Sequence, residues 1–281
     1  MEILIIGGSG FVGRNLCIAL GKRNKIKVLS RHKPEWADNL GISWIEGNIL
    51  SFESIQKAVS AGVDTIIDLV GLIDQKEQKH HDVNVNGTAN LVKAIAGQDD
   101  IKLVYISAIG SDKGGTEYFN TKRAAEENVK QHENHVIIRP SLLYGEDDHI
   151  VAQLLSMAGG FVPAIPKSGF LNPVYVGDFS KVVEKLLEAK GEFDVCSNEK
   201  LRLGDMLNIV RGKQGKKPIP QLPIKLFYLA IPLLSALNII SKEQLTMLGY
   251  DLFRVDTVLY KCVTKPIKFS DFVSEHIGKL S

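Results

Sequence analysis

The sequence is short of cysteine, of charge imbalance and of long apolar runs, and each shortage excludes something. Three cysteines, Cys17, Cys196 and Cys262, lie far apart in 281 residues. Their spacing makes neither a metal site nor a disulfide framework, so each reads as a small core residue. With no secretory signal at the start, a reduced cytoplasmic interior is the expected location. A net charge of +2, with 23% of residues charged, carries no electrostatic footprint of a nucleic-acid binder. The most apolar stretch, residues 226–240, contains Pro232. It falls short of the roughly twenty apolar residues that a bilayer span needs, so no transmembrane segment is expected. No internal repeat or low-complexity segment appears. The histidine and acid runs His80-His81-Asp82 and Glu146-Asp147-Asp148-His149 read as solvated surface or helix starts, because adjacent residues point to different sides. No metal is expected.

What is present is alternation. Apolar runs at Glu2–Ile6, Lys25–Ser30, Ile42–Glu46, Val63–Val70, Ile101–Ile106 and His135–Arg139 read as strands. Helical periodicity fills the gaps at Phe11–Leu20, Phe52–Ser60, Val83–Ala96 and Glu117–Gln131. Strand and helix in turn predict right-handed crossovers and an α/β fold, a doubly wound parallel sheet of Rossmann type. Beyond Tyr144 the pattern becomes irregular and proline-rich. Residues 1–145 are therefore expected to form the sheet domain, with return elements near 172–189. Residues 146–281 are expected to form a smaller, mostly helical lobe over the C-terminal edge of the sheet, where such sheets bind ligands.

The first strand delivers the chain into Gly7-Gly8-Ser9-Gly10-Phe11-Val12-Gly13, and a helix leaves it. In that context Gly7 takes the tight turn, Gly10 admits close backbone approach, and Gly13 lets helix pack on strand. Backbone N–H groups at the helix start then suit a pyrophosphate. The second strand ends in Ser30-Arg31, followed by His32 and Lys33. A carboxylate there would hold a ribose 2′-hydroxyl, whereas a hydroxyl and a cation suit a 2′-phosphate. NADP(H) is expected ahead of NAD(H), with Arg14 able to help from the helix.

Tyr118 and Lys122 are four apart at a predicted helix start, on one face. An ammonium beside a phenol favours the phenolate, which predicts a lowered Tyr118 pKa and proton transfer at a carbonyl or alcohol. Ser107 follows the fifth strand at the sheet edge, where its hydroxyl can orient that oxygen.

Gly7-x-x-Gly10-x-x-Gly13, Asn84-Val-Asn-Gly-Thr88, Ser107, Tyr118-x-x-x-Lys122 and Arg139-Pro140-Ser141 together resemble the extended short-chain dehydrogenase/reductase superfamily. Asp68-Leu69-Val70-Gly71, Ile106-Ser-Ala-Ile-Gly110, Arg139–Asp147 and Pro173–Asp178 look closer to its atypical branch related to the NADPH-binding accessory subunit of respiratory complex I. The resemblance implies a bound nicotinamide dinucleotide and catalytic positions at Ser107, Tyr118 and Lys122. It also implies cofactor contacts at Ser9, Phe11, Val12, Asn48, Ile49, Leu69, Val70, Gly71, Asn84, Pro140 and Ser141, with Asn84 beside a proton relay. Ile6 stands where the superfamily usually has threonine, and Asn48 where it usually has aspartate.

Two classes of function follow. One is an NADP(H)-dependent oxidoreductase or epimerase/dehydratase acting on a small molecule that the sequence does not identify; its filled Ser-Tyr-Lys positions favour it. The other is a non-catalytic dinucleotide-binding structural or assembly protein, which the complex I likeness favours. Three readings are open for residues 226–240: a buried helix, a lid over an apolar substrate, or a surface that docks on a partner protein or membrane. Lys213, Lys216, Lys217 and Lys225 would aid the third, leaving the protein peripheral to a membrane.

Overall fold

The computed structural model describes residues 1–71, 79–236, 240–255 and 257–280. Its elements begin β1 (Glu2–Ile6), α1 (Phe11–Leu20), β2 (Lys25–Ser30), β3 (Ser43–Glu46), α2 (Phe52–Ser60) and β4 (Thr65–Asp68). A π-helical turn (His81–Asn86) runs into α3 (Gly87–Ala94), followed by β5 (Lys102–Ile106), α4 (Glu117–Val129) and β6 (His135–Pro140). Then come β7 (Leu143–Tyr144), α5 (His149–Gly159), β8 (Ile165–Lys167), β9 (Val174–Tyr175), α6 (Val176–Leu186) and β10 (Gly191–Val195). The chain ends with α7 (Leu203–Lys213), β11 (Gln221–Pro223), α8 (Ile224–Ala236), α9 (Lys242–Gly249), α10 (Leu259–Cys262) and α11 (Phe269–Leu280).

Two compact units emerge. The first is Met1–Pro140 with Val176–Val195, the second Ser141–Tyr175 with Cys196–Ser281. The first holds a seven-stranded sheet in the order β10-β6-β5-β4-β1-β2-β3, every pair parallel. Its central strands are nearly continuous apolar runs, as strands covered on both faces must be. Leu4, Ile66, Leu103 and Ile137 pack with Ile55, Leu91 and Ala125 of α2, α3 and α4. Helices α1 and α6 pack side by side and bury Leu16, Leu20, Phe179 and Val183, while the alternate strand residues Ile3, Ile5 and Ile67 are also fully buried.

Some boundaries differ from the sequence reading. The fourth strand stops at Asp68 because the Asp68 carboxylate takes the Val70 N–H itself, 2.9 Å away. The third begins at Ser43 because the Ile42 N–H is spent on the Ala37 carbonyl at 2.9 Å. The expected helix from Val83 opens instead as the wider turn around Asn84. Strand β10 was not anticipated: Gly191-Glu-Phe-Asp-Val195 has little apolar alternation. It joins β6 with Phe193 beside Ile138, and Arg139 binds both Glu192 and Asp194 on it.

The second unit is mostly helical, with two short strand pairs, β8–β11 and β7–β9. Tyr144 centres its core, its ring edge-on to Phe269 and Phe272. The Tyr144 hydroxyl donates to the Ile267 carbonyl at 2.7 Å.

Candidate functional site

The glycine turn forms as its spacing demands. Gly7 has φ +76°, a left-handed conformation that glycine adopts without steric cost. A Cβ on Gly13 would lie 2.3 Å from the Gly8 carbonyl oxygen, so only glycine lets α1 sit this close to the turn. Gly10 is different: a Cβ there would meet nothing within 4 Å. Gly10 is also the N-cap of α1 and offers no side-chain cap, leaving the first N–H groups of Phe11, Val12 and Gly13 for an outside acceptor. An unfilled space at a helix start whose donors have no cap fits a dinucleotide pyrophosphate.

Beside this turn, a cavity of about 360 Å³ is lined by Ser9, Arg31, His32, Lys33 and Trp36. Arg31 is exposed and forms no ion pair among the described residues, while Lys33 is held by Asp38 at 2.7 Å. Ser30, expected to meet a 2′-phosphate, is turned inward. Its hydroxyl donates to the His32 carbonyl at 2.8 Å and accepts from the Trp44 indole at 3.2 Å. At the end of β2 the exposed group is therefore the Arg31 cation and not the Ser30 hydroxyl. Asn48 accepts the Leu50 N–H through its side-chain carbonyl oxygen at 3.0 Å. Ile49 is buried against the Cα of Gly87, a packing position.

A second group of residues gathers at the ends of β4 and β5 and along α4. Tyr118, Lys122 and Glu126 form one stripe at four-residue spacing on that helix. The Lys122 ammonium donates to the Val70 carbonyl at 3.1 Å and the Ile106 carbonyl at 3.0 Å, and sits 4.8 Å over the Tyr105 ring. A side chain on Gly71 would strike that ammonium at 2.7 Å. Burial pushes the Lys122 pKa down to about 8, with Asp68 and Glu126 pulling the other way.

The lowered Tyr118 pKa expected from its lysine neighbour is not what forms. Lys122 directs two of its three ammonium protons to carbonyls, and burial pushes the Tyr118 phenol up to about 12. Tyr118 packs edge-on to His80, ring centroids 5.9 Å apart.

Ser107 is buried and donates its proton to Oε1 of Glu126. Ser111 donates to the same oxygen at 2.9 Å, and Arg139 clamps both carboxylate oxygens at 2.8 and 2.7 Å. Asn84 donates to the Thr121 hydroxyl at 3.0 Å, while its buried side-chain oxygen has no partner among the described residues. Pro140 ends β6, its carbonyl accepting from Ile109 at 3.0 Å. Ser141 belongs to the second unit, where its hydroxyl accepts the Asn172 N–H.

Three participants were missed in the sequence. Asp68 is fully buried, with Oδ2 unpartnered among the described residues. Burial pushes its pKa up to about 6, offset in part by the Val70 N–H and by Lys122. Tyr105 is its register partner on β5, also fully buried and with an unpartnered hydroxyl. Burial, then the charges of Asp68, Tyr118 and Glu126, raise the Tyr105 pKa well above the usual phenol range. The third is Glu126. A carboxylate closing an otherwise apolar strand, and a glutamate continuing the Tyr118–Lys122 spacing, were the available signals.

Parallel sheet, open glycine turn and polar strand ends define a dinucleotide-binding α/β protein. Residues 3–189 match the NAD dependent epimerase/dehydratase family, and the chain belongs to it. The NADH-ubiquinone oxidoreductase 40 kDa subunit of Neurospora crassa mitochondria is 24% identical over 193 residues, 65% of this chain and 51% of that protein. A 3-beta-hydroxysteroid dehydrogenase of Mycolicibacterium neoaurum is 33% identical over 129 residues, 42% of this chain and 35% of that one. The chain thus spans about half or less of the length of these two relatives. The dTDP-glucose 4,6-dehydratase of Bacillus anthracis, solved with NAD, shares the fold. It superposes with a TM-score of 0.75 at 16% identity, covering 99% of this chain and 96% of that one.

Proposed function

We propose that the chain is an NADP(H)-dependent oxidoreductase, or an epimerase/dehydratase that uses its cofactor transiently, acting at a carbonyl or alcohol. The observation that carries this reading is geometric: Tyr118 and Lys122 share one stripe of α4, and the Lys122 ammonium is anchored at the ends of β4 and β5 by the Val70 and Ile106 carbonyls. With its pKa at about 12, Tyr118 holds its proton at neutral pH and acts as an acid toward a developing alkoxide. That suits the reductive direction. Lys122, at about 8, is mostly charged and supplies a cation beside the reacting oxygen. Ser107 spends its hydroxyl proton in a hydrogen bond to Glu126, so toward any further group it accepts, as from the hydroxyl of an alcohol substrate. The bound dinucleotide would supply hydride. Gly7, Gly10 and Gly13 with Phe11 and Val12 would hold its pyrophosphate, and Arg31 its 2′-phosphate.

One observation favours the alternative, a dinucleotide-binding protein without turnover. Two of the three Lys122 ammonium protons and the Ser107 hydroxyl proton are engaged by protein acceptors, and one relative is a respiratory-complex subunit by name. A screen of carbonyl compounds with NADPH consumption as readout separates the two. Tyr118→Phe should abolish turnover, by a factor of about a hundred or more, with NADPH affinity nearly intact. Full activity in Tyr118→Phe would remove the acid role. Tight NADPH binding with no turnover on any compound would favour the alternative.

A further inference from the structure

From Met206 to Lys242 the chain has no acidic residue and six cations: Arg211, Lys213, Lys216, Lys217, Lys225 and Lys242. In a chain whose total is +2, one segment therefore holds an excess that the rest must oppose. Within it lies α8, whose only charge is Lys225. The partly buried residues Ile224, Phe227, Ile231 and Leu234 recur every three or four positions, and α8 packs on α9, β8 and β11. A second stripe, Lys225, Tyr228, Leu229 and Pro232, stays exposed. Leu229 is 81% and Leu226 51% accessible. None of the described side chains in α8 is fully buried, which overturns the buried-helix reading for them; residues 237–239 lie outside the described residues.

The cations are tied to a second exposed apolar group. Lys216 and Arg211 both donate to the Ala158 carbonyl at 3.0 Å, three residues before Phe161, which is 94% exposed. No helix among the described residues is long and apolar enough to cross a membrane. An exposed apolar helical face that carries Lys225 and is preceded in the chain by four more cations is suited to lying in the headgroup plane, side chains entering the acyl boundary while cations meet anionic headgroups. A two-fold pairing of identical copies would instead set this cationic segment against itself. We propose that the exposed face of α8, with Phe161 and the 211–225 cations, docks on an anionic lipid surface.

The full chain should co-sediment with vesicles of mixed phosphatidylcholine and phosphatidylglycerol, much less with phosphatidylcholine alone, and release as salt rises. Leu229→Glu should weaken vesicle binding about tenfold or more with an unchanged circular dichroism spectrum, since the site is exposed. Lys216→Ser and Lys217→Ser should each cost about fivefold. Equal binding to both vesicle types, or no binding, overturns the proposal, as does Leu229→Glu binding like wild type. Self-association that Leu229→Glu abolishes, without vesicle binding, would assign the face to a second copy and also overturn it. Should Leu229→Glu fail to fold, the two lysine variants decide: unchanged binding in both refutes lipid docking.

Discussion

Glu126 takes hydrogen bonds from Ser107, Ser111 and two N–H groups, Nε and Nη2, on one edge of the Arg139 guanidinium while only 3% exposed. Removing a carboxylate from water costs several kcal/mol, so four donors are what make it tolerable. The consequence reaches the site: a serine whose proton is taken can only accept. At the other end of the sheet Arg31 is the reverse case, an exposed cation with no protein anion of its own among the described residues, facing a cavity. A charge-assisted hydrogen bond to a 2′-phosphate is worth roughly 1.5–3 kcal/mol. Arg31→Ala should therefore erase about tenfold or more of a preference for NADPH over NADH. Calorimetric titration of both cofactors into both proteins measures it, and equal affinities in the wild type would sink the NADP(H) assignment. Ser30→Ala should leave the preference alone, because its hydroxyl serves His32 and Trp44.

At the scale of elements, the β1–turn–α1 unit makes two glycines separable by experiment. Gly13→Ala forces a Cβ to 2.3 Å from a backbone oxygen, so α1 must move; overpacking of this kind costs about 1–3 kcal/mol. Gly10→Ala meets open space at φ −81° and should fold with its melting temperature nearly unchanged. On the proposed reading NADPH affinity should fall in both, since Gly10→Ala enters the space proposed for the pyrophosphate and Gly13→Ala displaces α1. If Gly10→Ala bound NADPH like wild type, the turn would not be the phosphate cradle. This unit was fully legible in the sequence, since strand, turn and helix each carry their own local signal. Helix α2 was read to its ends because Ser51 caps it by accepting the Ser54 N–H at 3.2 Å. The π-turn at Asn84 was not legible: one extra residue in a helical turn leaves no periodic mark that a short stretch can reveal. Nor was β10, which pairs with β6 and meets Arg139 through Glu192 and Asp194, more than fifty residues away in sequence. The direction of the Tyr118 shift was lost for the same reason. Spacing put Lys122 near the phenol, but only the folded chain brings the Val70 and Ile106 carbonyls that claim it.

For the molecule as a whole, Asp68 and Lys122 tie stability to pH. The folded Asp68 has its pKa raised from 3.8 to about 6, so folding favours the neutral acid. Its contribution is full below about pH 4 and is lost as pH rises through about 6, at a cost near 3 kcal/mol. Lys122 runs the other way: its folded pKa is lowered from 10.5 to about 8. That contribution is full above about pH 10.5 and is lost as pH falls through about 8. Between about pH 6 and 8 both groups are charged inside the fold, each limiting the other's cost by attraction. Each of these two buried charges is therefore a penalty on the fold near neutral pH. Asp68→Asn removes the first titration. Measured by urea unfolding from about pH 4 to about pH 8, the variant should gain stability relative to wild type across pH 4–6, by up to about 3 kcal/mol. Losing its carboxylate partner, Lys122 should titrate below about 8 in the variant, moving the alkaline change in stability to lower pH. A stability difference that stayed constant across the whole range would mean that Asp68 keeps its ordinary pKa, and that its burial beside Tyr105 carries no proton.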